Sequence, residues 1–247
     1  MKSMLMAGAA ALALFLVGCG DGGGNNQTAT AGNEPLKQIA APNNGDWTQA
    51  VVKTPDGGYR MGNPDAPVKL VEYGSLSCPH CAEFEEQGVP TLRDTYVKSG
   101  QVSWEFRPYL LFPTDPGVSL LVNCQSADAF FPAVEQLYKD QRNWIGKIQS
   151  MPKDQLEALA TVPPREAAAI VARGAGLDEF FRQRGMPSAQ IQSCLSDPAG
   201  LEKIAEVKRK GDEAGVNGTP SFFINGKVVD AAANWRALEP ALREAIG

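Results

Sequence analysis

Alternating apolar and polar positions mark the strands of this chain, and a recurrence every three to four residues marks its helices. Val68-Lys69-Leu70-Val71-Glu72-Tyr73 has apolar residues at alternate positions and β-branched residues among them, which predicts a strand. From Pro79 to about Lys98 the apolar residues Phe84, Val89, Leu92 and Tyr96 recur at helical spacing. Gln101 to Tyr109 alternates again through Val102, Trp104 and Phe106, giving a second strand and completing a βαβ unit. Ahead of it, Val51 to Met61 reads as a short strand and turn reversing at Asp56-Gly57-Gly58, followed by a loop over Asn63–Pro67.

From Pro113 to about Pro198 the period-two signal disappears. Helical segments are predicted at Pro116–Gln125, Ala129–Tyr138, Lys153–Ala160, Arg165–Arg173, Asp178–Arg184 and Ser188–Leu195. Gly146, Pro163-Pro164 and Gly174–Gly176 interrupt the pattern and keep each piece short. A helical block over about 113–198 is thus inserted between two α/β parts. Ala199–Ala214 predicts one more helix. Gly215 to Pro220 then turns the chain into a strand, Ser221–Asn225. Asn225-Gly226 is a strong hairpin signal, Lys227–Asp230 the return strand, and Asn234–Ile246 a closing helix.

Composition sets the class and the compartment. With 247 residues, 43% of them hydrophobic, the chain can bury one domain carrying a large insertion. A net charge of −5 without blocks of like charge leaves no footprint for nucleic acid. Lys208-Arg209-Lys210 is followed directly by Asp212-Glu213 and reads as a solvated helix face. Residues 1–18 have a positive start at Lys2 and an apolar run from Met4 to Val17, too short and Ala-rich for a membrane span, as in a secretory signal. Leu16-Val17-Gly18-Cys19 resembles the bacterial lipobox, which implies cleavage before Cys19 and a lipid on that cysteine; the alternative is an ordinary signal peptide. The expected location is the periplasmic side of the cell envelope, held to the membrane by the lipid alone. Residues 20–46 are rich in Gly, Asn, Thr, Ala and Pro, so 19–49 is expected to be a flexible tether with a reach of roughly 30 Å.

Five cysteines then sort themselves. Without Cys19 there remain a close pair, Cys78 and Cys81, and a distant pair, Cys124 and Cys194. In an exported protein the distant pair forms a structural bridge, unless both are buried free thiols. Cys78-Pro79-His80-Cys81 lies where the strand gives way to the helix. Thiols at i and i+3 in a first turn can close a small ring, and the upstream one meets free N–H groups and the positive end of the helix dipole. Such a thiol is acidified and reactive, so the segment points to redox chemistry with Cys78 exposed and attacking and Cys81 inward and resolving. His80, the only histidine, is expected to add a donor to the Cys78 thiolate, so His80→Ala would raise that pKa. One histidine leaves little room for a His-based hydrolase. Four zinc ligands are not gathered by these spacings, so no metal and no cofactor are expected. A carrier binding copper(I) through the two thiolates is the alternative binding class.

This order of elements, with its CxxC at the first helix and Thr-Pro before the hairpin, resembles the thioredoxin fold. The long insertion and the Pro79-His80 dipeptide resemble the DsbA-like branch of exported thiol:disulfide oxidoreductases, over about residues 50–247. Gly218-Thr219-Pro220-Ser221-Phe222-Phe223-Ile224-Asn225-Gly226 resembles that family's cis-proline segment. The resemblance implies an α/β thioredoxin fold with an inserted helical subdomain, and Thr219 and Pro220 as the seat of an extended substrate segment. Glu72, six residues before Cys78, stands where relatives carry a buried acid that exchanges a proton with the resolving thiol. The other reading makes it an outward carboxylate paired with Lys69 or Arg107. The implied activity is an oxidase that donates the Cys78–Cys81 disulfide to reduced exported proteins and is reoxidised by a membrane quinone-linked thiol oxidase. Thr before the cis-proline also occurs in reductase and isomerase branches, which stay open. Residues 20–50 are too short and polar for a dimerisation domain, so a monomer is expected.

Overall fold

The computed structural model of the chain describes residues 35–230 and 233–247, all within one compact unit. The signal segment, Cys19 and the tether up to residue 34 lie outside the described residues.

Among the described residues six strands form one sheet: β1 (Val51–Lys53), β2 (Tyr59–Met61), β3 (Val68–Gly74), β4 (Val102–Pro108), β5 (Ser221–Ile224) and β6 (Lys227–Val228), in the order β1-β2-β4-β3-β5-β6. β3 and β4 are parallel, with Val68 opposite Val102, and every other pairing is antiparallel. Asn225 and Gly226 both take positive φ, as a two-residue hairpin turn demands. The Asn225 side chain also accepts from Lys69 N, at 2.8 Å, at the far end of the β3 pairing. The return strand is shorter than the expected Lys227–Asp230, because pairing stops at Val228.

Alternation along β3 and β5 sends Glu72 and Phe222 to one face of the sheet and Tyr73 and Phe223 to the other. On the first face lies α1 (Pro79–Gln87), whose Phe84 packs 4.7 Å from Phe222. The second face carries α10 (Pro198–Glu213), whose Val207 joins Tyr73, Tyr109 and Phe223 in a small separate core. The predicted continuous helix to Lys98 is broken. Pro90 has no N–H to continue the hydrogen-bond ladder, so α1 gives way at Gly88 to the short α2 (Val89–Thr91) and then a π-helical stretch, Leu92–Val97. The apolar stripe is nonetheless buried as expected, from Phe84 to Tyr96.

The helical insertion comprises α3 (Asp115–Asn123), α4 (Ala127–Lys139), α5 (Gln141–Gln149), α6 (Lys153–Ala158), α7 (Pro164–Gly174), α8 (Leu177–Gln183) and α9 (Ser188–Leu195). Rings from α4 seat it on the sheet: Phe130 stacks on Tyr59 at 3.8 Å and Phe131 lies 4.7 Å from Trp104. Helix α5 was not predicted, since Gly146 reads as a breaker. A Cβ there would meet nothing within 4 Å, so this glycine simply faces outward, while Gln141, Trp144 and Ile148 face in at helical spacing. The closing helix α11 (Trp235–Ile246) is capped by Asn234, which accepts from Ala237 N.

The expectation of a free tether up to residue 49 is corrected for its second half, residues 35–49. Ile39 N donates to Ser99 O at 2.7 Å, Gln101 Nε2 to Lys37 O at 2.8 Å, and the buried Trp47 donates its indole N–H to Ile39 O at 2.8 Å. Leu36, Ile39 and Trp47 are few, but they suffice to dock this stretch beside the turn after the π-helix. The rest of the expected tether, 19–34, lies outside the described residues.

Candidate active site

Cys78 is the N-cap of α1 and Pro79 its first residue, a position where proline loses no hydrogen bond. The loop that delivers Cys78 from β3 is held from the insertion by three side chains. The Asp115 carboxylate, fully buried at the start of α3, accepts from Ser75 Oγ, Ser77 N, Leu111 N and Phe112 N at 2.7–3.2 Å. Tyr138 donates its hydroxyl to Ser75 O at 3.1 Å. Gln141 donates from Nε2 to both Leu76 O (2.8 Å) and Cys78 O (3.0 Å). Sequence reasoning missed all three, because their partners in the Cys78 loop are 38 to 65 residues away. For Gln141 the Trp144/Ile148 spacing was an available signal.

The sequence expectation of an exposed Cys78 is corrected. Cys78 is 3% exposed and Cys81 wholly buried, because the segment before β5 folds over them. There the Thr219–Pro220 bond is cis, and Cys78 Sγ–H donates to Thr219 O at 3.3 Å. The two sulfurs are unbonded in this structure. Their surroundings separate them chemically. The Cys81 thiol donates to Cys78; burial opposes its ionisation; the Thr219 hydroxyl and the N–H groups of Cys81 and His80 favour it. The result is a Cys78 thiol lowered from 9.0 to about 5. Thr219 Oγ1 is buried without another partner and so is free to serve the thiolate. Burial, then the neighbouring Cys78, push the Cys81 thiol well up.

His80 also differs from expectation. Its ring is exposed and turned to Glu83, with Nδ1 3.9 Å from Oε2. The donor that residue 80 offers the thiolate is its main-chain N–H, which His80→Ala leaves in place. The predicted rise in the Cys78 pKa therefore loses its basis.

Glu72 takes the buried alternative. It is 2% exposed, and its Oε2 accepts from Trp104 Nε1 at 3.0 Å. The outward partners are engaged elsewhere: Arg107 with Glu105 and Asp56, Lys69 with Pro64 O. Burial and the charge of Glu85 hold the Glu72 carboxyl well above the carboxylate range, and Cys81 feels its charge. Within the insertion, Cys124 and Cys194 are joined by a disulfide. Among the described residues no cluster of three His, Cys, Asp or Glu side chains could hold a metal, and no helix is long and apolar enough to cross a membrane.

The chain is similar to known proteins. The structure of a protein-disulfide isomerase from Novosphingobium aromaticivorans is 29% identical and superposes with a TM-score of 0.74, over 78% of this chain and 98% of that one. The α-DsbA1 of Wolbachia pipientis, 18% identical, shares the fold with a TM-score of 0.61, over 81% of this chain and 96% of that one. A Rickettsia felis protein named "Putative protein-disulfide oxidoreductase" is 25% identical over 206 residues, 82% of this chain and 65% of its own length. The first curated relatives are longer, and the chain spans between 56% and 65% of their length. The family model described as Thioredoxin matches residues 54–244, and with that match over most of its length the chain belongs to the thioredoxin family.

Proposed function

We propose that the chain is an exported thiol:disulfide oxidoreductase that works as an oxidase, donating the Cys78–Cys81 disulfide to reduced proteins. The observation that carries this reading is the placement of Cys78 as the N-cap of α1, with Cys81 one turn on and the cis Thr219–Pro220 segment 3.3 Å from the Cys78 sulfur. This setting lowers the Cys78 thiol to about 5 and pushes its neighbour up. A substrate thiolate attacks Cys78 Sγ, the Cys78–Cys81 bond breaks, and Cys81 leaves as a thiolate that takes up a proton. The substrate's second thiolate then attacks its own sulfur in the mixed disulfide, and Cys78 leaves as a stable thiolate. The substrate has lost two electrons, which now reside on the pair. Thr219 and Pro220, lying over Cys78, would receive the substrate segment, and Glu72 would supply the proton for Cys81.

The size of the effect bears on direction. Compared with a thioredoxin thiol near 7, a thiol at about 5 stabilises the reduced form at pH 7 by roughly 2 kcal/mol, or about 50 mV. In DsbA the thiolate supplies only somewhat over half of the rise above thioredoxin's potential of about −270 mV. Equilibration with glutathione is expected to give a potential in the oxidant range, above about −200 mV. A potential at about −200 to −230 mV or below would make the chain a reductase. An isomerase is the second reading, favoured by the name of the Novosphingobium relative; faster rearrangement of scrambled than oxidation of reduced ribonuclease would select it.

The lipid on Cys19 would keep the domain at the periplasmic face of a membrane, within reach of a quinone-linked thiol oxidase that restores the disulfide. Cys19→Ser is expected to move the protein from the membrane fraction to the soluble one. Unchanged sedimentation with membranes would end the anchor proposal.

A further inference from the structure

Of the three side chains that hold the catalytic loop, Gln141 alone bonds the main chain of Cys78. Its Nε2 donates to Leu76 O at 2.8 Å and to Cys78 O at 3.0 Å, and the residue is buried, at 6% exposure. Only the NH₂ end of a primary amide has two protons to give, so a pair of carbonyls fixes which way this amide faces. Its own backbone is firmly planted. Gln141 opens α5, and the corner between α4 and α5 is closed by the buried Trp144, whose indole donates to Leu137 O at 2.9 Å. What Gln141 grips is more lightly held. Cys78 is an N-cap in extended conformation, φ −80° and ψ 124°, and its side chain caps no N–H of the helix. Pro79 brings no N–H of its own. Two longer main-chain bonds hold Cys78 besides, from its N–H to Ser75 O at 3.1 Å and to its carbonyl from Ala82 N at 3.2 Å. The direction of that carbonyl sets the first turn of α1, and with it the N–H groups of His80 and Cys81 that serve the Cys78 sulfur.

We infer that Gln141 is a positioning residue for thiol exchange: by holding Leu76 O and Cys78 O it keeps the first turn of α1 aimed at the Cys78 sulfur. The inference rests on the thiol-exchange reading above. Gln141 acts through the main chain of residues 76 and 78 and takes no part in the bond changes themselves. Without its amide, two buried carbonyls lose a donor and turn toward the water of the groove that Pro79, Tyr138 and Gln141 line. The N–H groups of the first turn then swing off the sulfur. The thiolate is less favoured, and Cys78 becomes a poorer leaving group from the mixed disulfide. The oxidising power of the pair is thereby set in part from the helical insertion, 63 residues along the chain.

The test is Gln141→Met, which keeps the length of the side chain and removes both donors. The full chain is titrated by thiolate absorbance and equilibrated with glutathione. Ile148→Ala stands beside it as a control, because Ile148 is buried on the same helix and does not reach the loop. Gln141→Met is expected to lower the ionisation constant of Cys78 roughly tenfold, the effect of one hydrogen bond. Its potential should fall by about 30 mV, the same factor in a two-electron couple. Ile148→Ala is expected to lose stability with both readings at their wild-type values. A folded Gln141→Met with wild-type titration and potential would overturn the inference, and so would an equal displacement in Ile148→Ala. A measurement on the wild type decides the matter if Gln141→Met does not fold. The side-chain amide protons of Gln141 should exchange with D₂O more slowly than those of the exposed Gln155 and shift in NMR spectra as Cys78 ionises. Exchange as fast as that of Gln155 would overturn the inference. A wild type that exchanges no thiols would remove the exchange reading and this inference together, whereas failure of Gln141 alone leaves wild-type exchange intact.

Discussion

Reducing the Cys78–Cys81 bond is expected to stabilise the folded chain relative to the oxidised form by an amount that grows from about pH 5 to about pH 9. The reason is the Cys78 thiol, lowered in the fold from 9.0 to about 5. Between those values the unfolded reduced chain holds a proton on this sulfur that the folded chain has released. Stability of the reduced form therefore rises with pH, by about 1.4 kcal/mol per unit, and is lost as pH falls through 5. At pH 7 the contribution is about 3 kcal/mol. Above 9.0 Cys78 is ionised in both states and its gain ends. The Cys81 thiol, pushed above 9.0 in the fold, is by then ionised only in the unfolded chain, so the difference falls. In the oxidised protein neither sulfur titrates. Glu72 and Glu85, both raised by burial, are present in both forms and largely cancel in the difference. Urea unfolding of the two forms at pH 6, 7 and 8, with two free thiols confirmed in the reduced sample, measures this directly. The reduced-minus-oxidised difference should rise by about 3 kcal/mol over that range. A flat difference would mean that Cys78 is an ordinary thiol, and would take the oxidase proposal with it.

What could be read from the sequence divides along physical lines. The strands were legible because Val68, Leu70, Val102, Trp104 and Phe106 mark one buried face by simple alternation, and the hairpin because Asn225-Gly226 carries its own backbone preference. The CxxC was legible because its chemistry is local to one helix end. Burial was the part that local pattern could not supply. Glu72 looks the same in sequence whether it faces water or the underside of α1, and only the packing of α1 and α4 decides that it is enclosed. Cys78 looked exposed because a helix N-terminus usually is; the segment that covers it arrives 141 residues later. Asp115, Tyr138 and Gln141 hold the catalytic loop through partners far along the chain. The docked residues after 35 were misread for the opposite reason. Their composition is that of a tether, yet Trp47 and two main-chain bonds at Ile39 and Lys37 are enough to fix them against an existing surface.

Removing the Cys124–Cys194 bridge is expected to cost the protein about 4 kcal/mol of stability and to leave the Cys78 thiol close to 5. Cys124 is the C-cap of α3 and Cys194 lies near the end of α9, with a sequence separation of 70. The bridge therefore closes nearly the whole insertion into one loop, which restricts the unfolded chain far more than a short ring would. The proper variant is Cys124→Ala with Cys194→Ala, because a single change would leave a thiol able to pair with Cys78. Two signatures separate this origin from a local packing defect. An unfolded state freed of its crosslink exposes more surface, so the urea m-value should increase as the midpoint falls. The groups that acidify Cys78 belong to the first turn of α1 and to Thr219, so the thiolate absorbance titration should not move with the stability. A loss below about 1 kcal/mol would show that the insertion is held by its buried helices alone. A Cys78 titration displaced toward 9 would instead show that the bridge, acting through α3 and Asp115, sets the geometry of the catalytic loop.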